Sequence, residues 1–144
     1  MNYSNLTNAF DQTPQSEPLN QLVSRLSAPY FSTAVHNRTK LVNAISSDIQ
    51  VVPHEGIKAI ISHLLSTVIT QARDSFITIT AERFGDLISL EVQDNSSFNS
   101  YAVACRVEQY KGLAQTLGGD LGINGYGKKI TTVTFSFPYF SSAA

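Results

Sequence analysis

The sequence predicts an α+β two-layer sandwich: a mixed β-sheet covered on one face by about three helices. Three observations carry this. Ile57, Ile60, Ile61, Leu64, Leu65 and Val68 recur at i, i+3, i+4, i+7, i+8 and i+11, one broad apolar helical face of the kind that lies on a sheet. Residues 75–82 and 87–93 each alternate apolar and polar side chains on either side of Gly85-Asp86, so each reads as a strand of a hairpin with one buried and one open face. Finally, helical and paired-strand segments follow one another as helix, two strands, helix, two strands, helix, two strands, with no internal repeat. That order suits helices gathered on one face of a mixed sheet.

Residues 1–15 are rich in Asn, Ser, Thr and Gln without a period and read as a loose arm; the domain is expected over residues 16–140, with a tail at 141–144. Ser16-Glu17-Pro18 has the form of a helix start, with Ser16 as cap and Pro18 in the first turn. Leu19, Leu22, Val23 and Leu26 share one face of that helix, and Pro29 kinks or ends it. Residues 40–45 and 49–52 read as short strands, with Ser46-Ser47-Asp48 as the turn between them and Pro53 as the stop. The long helix and the hairpin described above come next. A polar loop spans residues 94–100. Val103, Val107, Tyr110, Ala114 and Leu117 mark a third helix, ended by Gly118-Gly119. Leu121 and Ile123 fall in a strand, and a turn follows at residues 124–127. The last strand sets Val133, Phe135 and Phe137 on one face and Thr132, Thr134 and Ser136 on the other, and Pro138 ends it.

Bulk composition narrows the function. The 144 residues suit one domain, and 42% hydrophobic against 15% charged residues provide a core. A net charge of −1 with no basic stripe disfavours nucleic-acid binding. No apolar run approaches a bilayer span and the N-terminus has no signal-peptide pattern, so a cytoplasmic protein without membrane insertion is expected. Cys105 is the single cysteine. It can form neither an internal disulfide nor a thiolate zinc site, and its apolar neighbours suggest a buried, inert thiol. His36, His54 and His63 lack the spacing of metal ligands and read as surface or structural histidines.

Four segments at the joints of this order resemble the ATP-binding domain of sensor histidine kinases, part of the Bergerat-type family. Residues 41–48, LVNAISSD, look like the opening strand and turn. Residues 63–69, HLLSTVI, look like the helix bearing the asparagine box. Residues 88–95, ISLEVQDN, look like the strand that delivers an adenine-binding aspartate. Residues 117–121, LGGDL, with 131–138, TTVTFSFP, look like the closing helix and strands. The resemblance covers roughly residues 19–138 and implies the two-layer fold already read from the pattern.

It also implies a nucleotide site, and there the chain departs from the family. Thr67 stands where the family places a magnesium-binding Asn, and Thr70 where it places a phosphate-contacting cation. Asp94 matches the carboxylate that accepts from the adenine amino group. Ser96, Ser97 and Phe98 replace a Gly-x-Gly turn whose glycines allow positive φ and close backbone approach. Counting back from Gly118-Gly119, the glycine motif that opens the third helix corresponds to Ala104-Cys105-Arg106-Val107, without glycine. Only residues 95–102 separate Asp94 from that point, where the family carries a far longer lid. The resemblance implies a phosphoacceptor histidine on a helical hairpin before the domain; the polar residues ahead of the first helix include no His, so the phosphoacceptor is expected to be missing. The candidate pocket residues are therefore Asp94, Thr67 and Thr132, as a vestigial adenine site, with no catalytic residue and no metal ligand. Each has a plainer reading: Asp94 as a strand end capping a loop, Thr131 and Thr132 as ordinary β-formers, and Lys128 and Lys129 as solvated turn residues.

Three functions follow as expectations. The first is a kinase-type domain without kinase activity, expected to need no cofactor, that acts by contact with a histidine kinase, a response-regulator receiver domain or a second copy of itself in two-component-type signalling. The second is a residual binder of adenine nucleotide or another small ligand. The third is an active kinase using Mg-ATP and acting in trans, which would have to stabilise the transferring phosphoryl without the usual carriers.

Overall fold

The computed structural model describes residues 15–125 and 127–139. The expected arm (but for Gln15), the tail and Tyr126 lie outside that range. The elements, in order, are β1 (Glu17–Pro18), α1 (Leu19–Ser27), a 3-10 turn (Ala28–Tyr30), α2 (Phe31–His36), β2 (Lys40–Asn43), β3 (Gln50–Val51), α3 (Glu55–Gln71), β4 (Phe76–Phe84), β5 (Leu87–Asp94), α4 (Ser100–Thr116), β6 (Asp120–Asn124) and β7 (Thr131–Pro138).

Five strands form one sheet in the order β2-β4-β5-β7-β6. β2 runs parallel to β4, and the other neighbours are antiparallel. This is the expected mixed sheet, and the period-two pattern sets its faces. Ile77, Ile79, Ile88, Leu90, Val92, Val133, Phe135 and Phe137 are fully buried, while Thr78, Thr80, Ser89, Thr132, Thr134 and Ser136 stay half-exposed on the other side. α3 supplies the other wall of the core, with Ile57, Ile60, Ile61, Leu64, Leu65 and Ile69 fully buried. At about 1.5–3 kcal/mol for each fully buried large aliphatic side chain, this helix face is a principal driver of folding. α1 lies against α3, and α4 packs on α3, β6 and β7.

The structure corrects the helix start. Pro18 is extended (φ −62°, ψ 132°) and caps α1 from outside without a side-chain hydrogen bond. Glu17 and Pro18 pair with Val51 and Gln50, and the Ser16 hydroxyl donates to Gln50 Oε1 at 3.1 Å instead of capping. The cross-strand partner won over the local cap. For the same reason the two short strands do not make a hairpin with each other. β3 belongs to a separate two-stranded sheet with β1, while β2 joins the main sheet. Pro29 ends α1 as expected, but the chain then turns through Ala28–Tyr30 into α2, a short helix that no apolar period announces.

Cys105 is exposed, not buried. The buried residues of α4 are Val103, Val107 and Ala114. Two residues on from Val103 is more than half a turn round the helix, so the thiol points outward. No described helix is long and apolar enough to cross a membrane.

Candidate functional site

Asp94 is the last residue of β5 and continues the buried series Ile88, Leu90, Val92, so its carboxylate enters the layer between sheet and helices and is 3% exposed. One oxygen holds it there. Oδ1 accepts from the Ser75 hydroxyl at 2.5 Å and from the Ser96 N–H at 3.1 Å. The carboxylate thus ties the residue entering β4 to the loop leaving β5, and Oδ2 takes no part in either bond.

Thr131 lies directly across from Asp94 in the β5–β7 ladder and is 2% exposed. Thr132 pairs with Gln93 and stands on the open face, away from Asp94. The threonine that shares the layer with Asp94 is therefore Thr131. Parity gives this from the sequence: Val133, Phe135 and Phe137 define the buried set, to which residue 131 belongs and residue 132 does not. Thr67, on α3, is 1% exposed in the same layer. The hydroxyls of Thr67 and Thr131 have no hydrogen-bond partner among the described residues. Leaving a hydroxyl unpaired in an apolar layer costs about 1–3 kcal/mol. Thr67→Val is therefore expected to stabilise the protein, by roughly 1 kcal/mol, in denaturant unfolding. A loss of stability would mean that the hydroxyl has a partner in solution.

The connection from β5 to α4 is short and tied at every step. Asn95 accepts from Gln93 Nε2 at 2.6 Å and donates from its own amide nitrogen to the Phe76 carbonyl at 3.0 Å. The Ser97 N–H donates to the Lys129 carbonyl at 2.6 Å. Asn99 caps α4, its side chain accepting from the Ala102 N–H at 3.1 Å. The Gly127 N–H donates to Ser100 Oγ at 3.1 Å. α4 begins at Ser100, one turn before the position obtained by counting back from Gly118-Gly119. Ala104-Cys105-Arg106-Val107 therefore lie within the helix and not at its mouth; the Asn99 cap is the local signal that places the start.

α3 and α4 meet directly. The His63 ring stacks on Tyr110 with centroids 3.6 Å apart and planes 19° apart, and His63 Nε2 donates to the Arg106 carbonyl at 3.0 Å. His63 is thus a structural histidine joining the two helices. His63→Ala is expected to cost about 1 kcal/mol in denaturant unfolding, the scale of one aromatic pair, and no loss would mean that the stack contributes nothing in solution. Thr70 turns back on its own helix, donating to the Ser66 and Thr67 carbonyls at 2.7 and 3.2 Å. Among the described residues no group of three or more His, Cys, Asp or Glu is placed to hold a metal ion.

No family model matches the chain, and no curated protein matches it. Solved structures do. The nucleotide-free catalytic domain of histidine kinase ThkA is 13% identical, with a TM-score of 0.69 over 88% of this chain and 97% of that one. A histidine kinase from Burkholderia phymatum is 12% identical, with a TM-score of 0.71 over 96% of this chain and 80% of that one. Histidine kinase ThkA solved in complex with the response regulator TrrA matches over 88% of this chain but only 42% of that one, at 13% identity and a TM-score of 0.67.

The chain has the histidine-kinase catalytic-domain fold. Within this fold α3 carries Thr67, β5 ends at Asp94, and residues 95–99 connect β5 to α4. Sequence reading missed Ser75, whose position just before β4 carried no signal of its bond to Asp94. It also missed the α3–α4 stack, which depends on contact between elements far apart in the chain.

Proposed function

We propose that this is a kinase-type domain whose nucleotide site is closed, and that it works by protein contact in two-component-type signalling. The observation that supports this reading is the burial of the residues in that layer. Asp94, Thr67 and Thr131 are 3%, 1% and 2% exposed. α3 and α4 pack against each other, and the 95–99 connection is held by its own hydrogen bonds.

The residues present do not fit Mg-ATP. Hydroxyls stand at the two positions where the family carries a metal-binding amide and a cation. Oδ1 of Asp94 is already engaged with Ser75 and Ser96. The start of α4, where a phosphate would meet free N–H groups, holds the Asn99 cap and the Gly127–Ser100 bond. No phosphoryl-transfer step is derived for this chain. The expected partners are a histidine-kinase hairpin, a response-regulator receiver domain, or a second copy of this domain; the similar ThkA is solved with a response regulator. Given Mg-ATP, the chain is expected to label neither itself nor a histidine hairpin supplied in trans. In size-exclusion chromatography with light scattering it is expected either to self-associate or to bind a purified hairpin or receiver domain. Transfer of the γ-phosphate would overturn the reading.

A second reading, residual adenine binding, is favoured by one observation: the Thr67 and Thr131 hydroxyls are buried and unpaired among the described residues, and Thr131 lies across from Asp94 in the sheet. Asp94→Asn keeps the single acceptor used by Ser75 and Ser96 while changing Oδ2 to a donor. If adenosine binds here, that variant should lose it while remaining folded.

A further inference from the structure

The loop at the end of α3 and the loop leaving β5 enclose an open cleft of about 460 Å³, lined by Arg38, Arg73, Asp74, Ser96, Ser97 and Phe98. It lies outside the layer that holds Asp94, and its lining includes neither Thr67 nor Thr131. Its cations are held in place. Arg73 Nη1 donates to the Thr70 and Ala72 carbonyls at 2.8 and 2.7 Å, fixing the guanidinium at the C-terminus of α3, and its Cζ stands 5.6 Å from the centre of the Phe98 ring. Arg73 Nε and Nη2 make no hydrogen bond among the described residues.

Arg38 grips both oxygens of Asp74 through Nε and, at 2.9 Å, Nη2. These two residues sit in left-handed backbone at φ 52° and 50°, where non-glycine residues are uncommon. The Asp74 N–H donates to the Asn37 carbonyl at 3.0 Å, and buried Asn37 donates to the Ile69 carbonyl at 3.2 Å. Two loops far apart in the chain are locked together in a strained form at the rim of the cleft. Such over-determined strain clusters at ligand sites.

The hydrogen bond from Arg38 holds the Asp74 carboxyl below the usual carboxylate range, so it is ionised at neutral pH. Two guanidiniums against one carboxylate leave the cleft net positive, in a chain whose net charge is −1. Lys128 and Lys129 lie on the adjoining turn, with the Lys129 carbonyl bonded to Ser97. The Ser96 and Ser97 hydroxyls make no hydrogen bond among the described residues, and Phe98 is 67% exposed.

The geometry points to a binding site for a phosphate monoester, its phosphate held by Arg73, Arg38 and the two serine hydroxyls and its organic part lying on Phe98. The donors outnumber the two oxygens of a carboxylate and suit the three of a phosphate. The phosphate can come from a free metabolite or from a phosphorylated side chain of a partner; the chemistry is shared.

The test is amide NMR of the full chain titrated with phenyl phosphate, inorganic phosphate, benzoate and a phosphotyrosine tripeptide. Phenyl phosphate is expected to shift the amides of Arg73, Asp74 and residues 96–98. Losing charge-assisted hydrogen bonds to Arg73 should weaken it at least about tenfold in Arg73→Gln, with Arg73→Lys intermediate. Phe98→Ala should weaken phenyl phosphate but not inorganic phosphate, and benzoate should bind less well than phenyl phosphate. Both side chains are exposed, so these variants should fold. Tighter binding of the tripeptide than of phenyl phosphate would assign the source to a partner's side chain, and equal binding to a free metabolite. No shifts at these residues at millimolar ligand, or shifts that Arg73→Gln leaves unchanged, would overturn the proposal. The Mg-ATP titration probes the separate layer at Asp94, so failure here and failure of the closed-site reading are told apart.

Discussion

Replacing Gly119 with alanine is expected to destabilise the protein by about 3 kcal/mol in denaturant unfolding, at the upper end of overpacking effects. α4 ends in a turn that Gly118 makes possible at φ 85°, with the Gly118 N–H donating to the Gln115 carbonyl at 3.0 Å and the Gly119 N–H to the Ala114 carbonyl at 2.9 Å. The chain then passes hard against β7. A Cβ on Gly119 would sit 1.9 Å from the Ser136 carbonyl oxygen and 3.0 Å from Phe137 Cα. Those are backbone atoms inside the β6–β7 pairing, where Asp120 faces Ser136, so no side-chain rotation relieves the clash. Alanine at Gly122, which has open space around it, is the control and should cost little. Equal effects at the two positions would mean that the end of α4 is not seated on β7 in solution.

Replacing Asp94 with alanine should cost about 2–3 kcal/mol, the scale of two hydrogen bonds to a charged acceptor whose donors are left buried. The half-buried Ser96 N–H would lose its acceptor, and the buried Ser75 hydroxyl would keep only the longer 3.3 Å bond to the Phe76 carbonyl. Asparagine should cost much less, because Oδ1 alone serves both donors and an amide oxygen can replace it. The ratio of the two effects separates two roles. A carboxylate kept for ligand recognition and little used by the fold would give small effects for both substitutions. A carboxylate that pins the 95–99 connection gives a large effect for alanine and a small one for asparagine, and that pattern is expected in unfolding experiments.

The sheet and the long helix were legible because their periods are strong: i, i+3, i+4 from Ile57 to Val68, and alternation from Ile77 to Ala81, from Ile88 to Val92 and from Val133 to Phe137. A side chain's face follows from parity once the buried set is known, which is why Thr131 could have been chosen over Thr132 and Cys105 placed outward from Val103 and Val107. What was not legible has one physical character. β1 pairs with β3, Ser16 bonds Gln50, Ser75 bonds Asp94 and His63 stacks on Tyr110. Each joins residues remote in the chain, and no local propensity encodes a partner. The Arg38–Asp74 lock belongs to the same class: both residues are in a backbone region that sequence alone would assign to glycine or asparagine. The sequence put the short connection at residues 95–102, and the structure narrows it to 95–99 because α4 begins at Ser100. That α3 and α4 are in contact required the fold.

The central claim is that the layer around Asp94 is closed to nucleotide, and calorimetric titration with Mg-ATP tests it most directly, with ADP and adenosine run in parallel. The account predicts no Mg²⁺-dependent heat or thermal shift with ATP and none with adenosine; heat from a terminal phosphate entering the Arg73 cleft would be independent of Mg²⁺ and lost in Arg73→Gln. Saturable binding that requires both Mg²⁺ and the γ-phosphate would contradict it.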